Sequence, residues 1–186
     1  MVRWRPNAQS RLAQAALDLY EEQGFENTTV AEIAARAGLT ERTFFRHFAD
    51  KREVLFAGGE FQESIIAGVT GAPESASPIE AATAGLDAAG ALLEDRHEFA
   101  IRRQRVIAAS PDLREREVMK LAAVATALAG ALRTRGVAEP AATLTGEVAM
   151  SVFRNAFERW VDQASAGDLR ELIRESLNEL RTLAGS

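Results

Sequence analysis

The sequence predicts an all-α protein: an N-terminal three-helix helix-turn-helix domain followed by a larger C-terminal helical domain, about nine helices in all. Three observations carry this. Apolar residues recur at helical spacing in almost every segment, and no stretch alternates as a strand would. Pairs of the capping-box type, Thr29/Glu32, Asp50/Glu53, Ser77/Glu80 and Asp168/Glu171, mark helix starts. Gly and Pro punctuate the gaps between them.

The arm Arg3-Trp4-Arg5-Pro6 comes first, and two readings stand for it. Its arginines lie on phosphates or in a minor groove, or it is a solvated end. A first helix is predicted from about Asn7 to Gln23, with Leu12, Ala16, Leu19 and Tyr20 inward and Gly24 ending it. The stretch Thr29 to Lys51, TVAEIAARAGLTERTFFRHFADK, then predicts two short helices about a tight turn. Val30, Ile33, Ala34 and Ala37 share one face of the first, and Gly38 is free to take the left-handed conformation that the turn needs. Thr40 caps the second, where Phe44 and Phe48 point inward and leave Glu41, Arg42, Thr43, Phe45, Arg46 and His47 outside. A helix-turn-helix of this kind offers its second helix to a DNA groove.

Asp50 and Glu53 are expected to open a fourth helix running to about Thr70, with Gly58-Gly59 inside it, either as a compliant point or as a close-packing site. Gly71 to Pro78 is a linker rich in helix breakers. Ser77-Pro78-Ile79-Glu80 restarts the chain with a cap and proline at the first helical position. Helices follow to about Leu93, from Arg96 to Ala109, from Ser110-Pro111 to Arg135-Gly136, and from Glu139-Pro140 to Ala166-Gly167. Asp168 with Glu171 caps the last, which aligns Leu169, Leu172, Ile173, Leu177, Leu180 and Leu183 on one stripe. The helix before it is apolar on two rows, Leu144, Val148 and Val152 on one, Met150, Phe153, Phe157 and Trp160 on the other. So broad an apolar surface needs two neighbours, its own domain and a second subunit. Leu144, Val148, Val152, Leu169, Leu172, Ile173, Leu177 and Leu180 are the candidate dimer contacts, joining two copies in a four-helix bundle.

Hydrophobic residues make up 47%, enough for a substantial core, yet no run of eighteen apolar residues exists to span a membrane. The absence of cysteine excludes disulfides and thiolate metal sites, and the N-terminus lacks the apolar core of a signal peptide; a cytoplasmic location is expected. The net charge of −5 divides unevenly. Residues 1–52 carry eight Lys/Arg against seven Asp/Glu, giving +1, and the remainder 14 against 20, giving −6. A mildly basic head on an acidic body suits a protein that touches phosphate at one end.

The run AALDLYEEQGFENTTVAEIAARAGLTERTFFRHFADKREVL, within Arg11 to Leu55, resembles the DNA-binding domain of the TetR (tetracycline repressor) family of bacterial transcription regulators. The resemblance implies a head at residues 1–52, an effector-binding and dimerisation domain at 53–186, and a homodimer that represses from a palindromic operator until a small-molecule effector releases it. The expected DNA contacts are Arg42 on guanine, Thr40 and Thr43 on phosphate or a thymine methyl, and His47 and Lys51 on phosphate, with Thr28 and Thr29 presenting helix N–H groups. Glu41, Phe45 and Arg46 complete that face; Phe45 stands where many relatives have tyrosine, which leaves apolar contact alone. From Phe99 to Trp160 the chain resembles effector domains of mycofactocin- or acyl-CoA-type regulators, through RRQRVIAASPDLREREV and FRNAFERW, a likeness that names no ligand for this chain. His97, Ile101, Gln104, Met119, Phe153, Asn155, Phe157 and Trp160 are the candidate pocket residues.

Enzyme chemistry finds little support. Glu94-Asp95-Arg96-His97 has the E-x-x-H spacing of di-iron bundles, but those sites need a second such motif, and His47 supplies none. No phosphate-cradling loop or nucleophile elbow is present, and no metal or cofactor is expected. A helical adaptor binding another protein, and a DNA binder whose body only dimerises, are the remaining alternatives.

Overall fold

The computed structural model describes residues 7–56, 59–162 and 167–185; the Arg3–Pro6 arm falls outside them. The described residues form nine α-helices and no strand. They are α1 (Ala8–Gln23), α2 (Val30–Arg36), α3 (Glu41–His47), α4 (Glu60–Gly71), α5 (Pro78–Glu94), α6 (His97–Ala109), α7 (Pro111–Thr134), α8 (Ala141–Asp162) and α9 (Leu169–Ala184). A 3-10 turn, Glu53–Leu55, stands between α3 and α4. No described helix is long and apolar enough to cross a membrane.

The chain divides into two compact units. Unit 1 comprises Met1–Ala57 and Arg102–Glu117, and unit 2 comprises Gly58–Ile101 and Val118–Ser186. Thus α6 and α7 each contribute to both units. Hydrophobic periodicity carries no mark of this, because a helix keeps its period through such a boundary.

Unit 1 is a small three-helix core with a helical hairpin. Leu12, Leu17, Ile33, Phe44 and Val54 are almost fully buried, and Tyr20, Phe25 and Phe48 nearly so. Burying each large apolar side chain stabilises by about 1.5–3 kcal/mol relative to leaving it exposed. The Tyr20 hydroxyl donates to the Lys51 carbonyl at 2.7 Å, and burial pushes its pKa up. The hairpin Arg102–Glu117 is held by charge. Arg102 binds Asp18 at 2.7 Å and also Glu21. Arg103 donates to the Leu55 carbonyl at 2.8 Å and to Glu117 at 3.1 Å, and its guanidinium sits 4.7 Å from the Phe56 ring centroid. Arg116 pairs with Glu53. Desolvation lowers the Arg103 pKa, and Glu117 opposes that shift.

Unit 2 packs α4, α5, α8 and α9 with the remaining parts of α6 and α7 about one apolar core, including Ile65, Val69, Leu86, Leu128, Leu132, Leu169 and Ile173. Small residues let its helices touch. A Cβ at Gly68 would lie 2.6 Å from the Ala84 carbonyl oxygen, and one at Gly85 2.7 Å from that of Ile65. The α4–α5 crossing is therefore backbone against backbone. Between α7 and α8, a Cβ at Gly146 would lie 2.6 Å from the Ala125 carbonyl oxygen. Arg135 closes the end of α7 onto the linker, donating to the carbonyls of Ala72 at 2.8 Å and Pro73 at 2.6 Å.

One element boundary and one cap differ from the sequence expectation, the start of the fourth helix and the Asp168/Glu171 box. Asp50 Oδ1 accepts from Arg52 N at 2.8 Å and Glu53 N at 3.2 Å, and this caps only the 3-10 turn. Glu53 turns to Arg116 instead of back to Asp50. The fourth helix therefore begins at Glu60, with Gly59 just before it, so the idea of a glycine pair inside one helix fails; Gly58 lies outside the described residues. α8 is described to Asp162, and the expected continuation to Ala166 lies outside the described residues. Asp168 caps α9 by accepting from Arg170 N at 2.8 Å, without Glu171 reaching back. The boxes at Thr29/Glu32 and Ser77/Glu80 form as their spacing predicts.

Candidate nucleic-acid interface

Two caps and one glycine build the α2–α3 pair. Thr29 Oγ1 accepts from Glu32 N at 3.2 Å, and the Glu32 carboxylate accepts from Thr29 N at 2.8 Å. Hydrogen bonds from the Thr29 backbone and hydroxyl lower the Glu32 pKa. Gly38 adopts φ 64°, a conformation that strains any residue with a side chain, and a Cβ there would also displace the tip of Arg11, 2.9 Å away. Thr40 Oγ1 then accepts from Thr43 N at 3.2 Å and starts α3.

Phe44 and Phe48 anchor α3 in the core, their centroids 5.3 Å apart. Thr40, Glu41, Arg42, Phe45, Arg46 and His47 are exposed, with Thr43 half-buried, which reproduces the predicted outer face. Phe45 is 56% exposed, its inner edge against Phe44 at 5.4 Å between centroids. Thr29 is exposed at the start of α2.

Two expected contacts do not fit. Thr28 is only 1% exposed; its N–H, the group expected at a phosphate, donates to the Phe25 carbonyl at 3.2 Å, and its hydroxyl to the Gly24 carbonyl at 2.8 Å. Its side chain serves the α1–α2 loop. Lys51 is half-buried, and its ammonium donates to the carbonyls of Phe25 at 2.8 Å, Thr28 at 3.0 Å and Glu26 at 3.3 Å. It also lies 4.3 Å from the Phe25 ring centroid. Other cations of the head are likewise engaged. Arg11 donates to the Ala37 carbonyl, Arg36 makes a two-pronged pair with Glu22 at 2.9 and 2.7 Å, and Arg52 binds Asp50 at 2.9 Å. Arg42 and Arg46 are the exposed cations of α3. Sequence reading could count the basic residues but not tell a working cation from a structural one.

In unit 2, four of the candidate pocket residues come together, and Phe61 of α4, which the sequence did not single out, joins them. Phe61 and Phe153 lie 5.1 Å apart by centroid, Phe153 and Phe157 5.7 Å, Phe157 and Trp160 5.7 Å, and His97 and Trp160 4.3 Å. His97 Nε2 donates to the Trp160 carbonyl at 2.9 Å, which ties the start of α6 to the end of α8. Ile101 is half-buried on α6. Three others are elsewhere. Gln104 belongs to unit 1 and donates to Glu117 at 3.4 Å. Met119 is 55% exposed on α7. Asn155 is exposed and accepts from the Ser176 hydroxyl at 3.0 Å.

Of the candidate dimer contacts, Val152, Leu169, Leu172, Ile173 and Leu177 are buried within unit 2 itself. Leu144 is 61% exposed, and Val148 and Leu180 are half-buried; Leu183, on the same stripe, is 76% exposed. The E-x-x-H pair is dispersed. Glu94 ends α5 and binds Arg170 at 2.8 Å, while His97 begins α6 and faces Trp160. No group of three or more His, Asp or Glu suited to a metal occurs among the described residues.

Comparison with known proteins places these features. Residues 12–57 match the model described as bacterial regulatory proteins, tetR family, and residues 76–184 match that of the MftR C-terminal domain. The HTH-type transcriptional regulator TcmR of Streptomyces glaucescens is 39% identical over 72 residues. That match takes 38% of this chain and 32% of TcmR, so the chain spans about a third of its curated relative. Among solved structures, the fatty acid degradation regulator FadR of Bacillus halodurans aligns with a TM-score of 0.60 at 19% identity, over 94% of each chain. FadR of Bacillus subtilis, solved in complex with stearoyl-CoA, aligns with a TM-score of 0.62 at 21% identity, over 91% of this chain and 95% of that one. At these identities the two structures speak for the fold.

Proposed function

This chain belongs to the TetR family as a DNA-binding transcriptional regulator with an MftR-type C-terminal domain, and from that premise we propose that it is a homodimeric repressor released from a palindromic operator by a small-molecule effector. The observation that carries the proposal is the α3 face, where Arg42, Phe45, Arg46 and His47 are exposed while Phe44 and Phe48 hold the helix in its core. Residues 1–52 act as the DNA-binding head and 53–186 as the effector-binding and dimerisation part, which lends its hairpin 102–117 to the unit of the head.

Arg42 takes the base contact, since a guanidinium bridges the O6 and N7 of guanine. Thr29, Thr40, Thr43, Arg46 and His47 take phosphate or sugar, and Phe45 packs on sugar or a thymine methyl. Glu41 is tolerated where it meets a cytosine amino group. Dimerisation runs through α8 and α9, with Leu144, Val148, Leu180 and Leu183 at the contact and the buried leucines bracing it from beneath. A two-fold axis would set the two α3 helices in major grooves about 34 Å or a multiple apart.

The effector is taken at the cluster of Phe61, His97, Phe153, Phe157 and Trp160, whose rings favour a molecule with an apolar portion. The stearoyl-CoA held by one FadR suggests amphipathic acyl compounds as the first to test. A family of regulators gives no ground for assigning catalysis, and the site of action is the cytoplasm. Selection of bound genomic fragments by the purified chain at moderate salt tests the reading, with recovery of one or a few palindromic sites expected. Salt-sensitive retention without an enriched sequence would leave the electrostatic component alone and overturn it. With a site in hand, Arg42→Ala is expected to relax preference by about 1–3 kcal/mol at one position per half-site.

A further inference from the structure

We infer that Lys51 is a positioning residue of the head, which sets the entry to α2, and that it makes no phosphate contact. An ammonium has three donors and no acceptor. Three carbonyls of one short loop converge on Lys51 Nζ, those of Phe25, Thr28 and Glu26, at 2.8, 3.0 and 3.3 Å. The Phe25 ring covers it at 4.3 Å from the centroid. Reaching a phosphate would break charge-assisted bonds and strand those carbonyls.

Both ends of this contact are fixed. The Tyr20 hydroxyl holds the carbonyl of Lys51 at 2.7 Å, so the lysine backbone is anchored from α1. Thr28, whose carbonyl the ammonium holds, directly precedes Thr29, the cap of α2. Arg11 does the matching work at the other end of α2, on the carbonyl of its C-cap Ala37. The helix that supports α3 is therefore clamped at both ends by side-chain cations. Through α2, Lys51 acts on the placement of Arg42 and Arg46. Its charge stays within the head.

The inference rests on DNA binding by this head, and the test separates the two. The full chain is compared with Lys51→Met and Lys51→Arg on duplex DNA carrying the selected site, over a range of salt. A phosphate contact is worth a slope of about 0.9 in log K against log salt, so losing one from each head would make the dimer shallower by about 1.8. We expect Lys51→Met to bind about tenfold more weakly with its slope unchanged. Lys51→Arg should fail to rescue, because a planar guanidinium keeps the charge but does not fit three carbonyls around one point. Amide exchange in the free variants should quicken about tenfold for residues 26–30, and stay as in the parent within α8. Parental affinity in Lys51→Arg, a shallower slope in Lys51→Met, or unchanged exchange at residues 26–30 would each overturn the inference. If the parent itself bound no DNA, the regulator reading would fail, and the exchange measurement would still decide for or against Lys51 as the anchor of the loop.

Discussion

In unit 1, short helices are placed largely by directional bonds from cations and hydroxyls to carbonyls and carboxylates. Lys51, Arg11, Arg102 and Arg103 each do this, and Thr29 and Thr40 cap the two helices they start. In unit 2, longer helices are placed by close approach, glycine against backbone at Gly68, Gly85 and Gly146 over a continuous apolar core. The difference follows from size. A three-helix core buries few side chains, so apolar contact alone leaves the angles between its helices loosely specified, and hydrogen bonds with defined geometry supply what is missing. A longer helix pair has enough contact length for shape to set its angle.

The largest expected effect tests whether the head depends on its small apolar core at all. Phe44→Ala should cost about 3–5 kcal/mol in denaturant unfolding, whereas Phe45→Ala, one residue on and 56% exposed, should stay within about 0.5 kcal/mol. Equal losses would mean that the two faces of α3 are not distinct. Next comes the crossing in unit 2. Gly68→Ala removes a poor helix former, which by itself would gain about 1 kcal/mol. The new Cβ, however, would press on backbone at 2.6 Å, and a net loss of about 1–3 kcal/mol is expected as the helices separate. Gly71→Ala, which meets nothing within 4 Å, is the control and should be neutral or slightly stabilising.

The hairpin of unit 1 sharpens the contrast. Arg103 and Glu117 have side chains 18% and 21% exposed, so Arg103→Ala should cost about 1–3 kcal/mol by leaving Glu117 without its partner. The double change Arg103→Met with Glu117→Leu should recover most of that. No recovery would show that the Leu55 carbonyl and the Phe56 ring, not the ion pair, are what Arg103 serves. The smallest effect belongs to the caps. Thr29→Ala should cost about 1 kcal/mol at neutral pH. The Thr29 N–H and, after it, the Thr29 hydroxyl lower the Glu32 pKa in the folded chain, so the Glu32 contribution is full above the unfolded carboxyl value of about 4.3 and fades as pH falls through the folded one. The variant loses only the hydroxyl's share, so the gap between parent and variant should narrow in acid without closing; a constant gap would take the hydroxyl–carboxylate bond out of the cap.

Much of the fold was legible from residue order alone, and the reason is local. The caps at Thr29, Thr40 and Ser77, the turn at Gly38 and the inward pair Phe44 and Phe48 act within a few residues, where spacing dictates geometry. The outer face of α3 follows from the same period and was read correctly down to Thr43. Spacing misleads where a side chain has a choice of partner: Glu53 matches a capping pattern yet binds Arg116. Glu94 and His97 have the spacing of one helix face, but the helix ends expected near Leu93 and Arg96 already separate them, and they end and begin two different helices.

By itself, then, the sequence determined the helices, their caps and the face that the head turns outward, because those depend on contacts between near neighbours in the chain. Tertiary structure alone decided which cations are spent inside the head, that residues 102–117 belong with it, and that Phe61 joins His97, Phe153, Phe157 and Trp160. Those outcomes turn on distances between residues tens of positions apart. A lysine at the right place in a motif looks the same on paper whether a phosphate or three carbonyls await it.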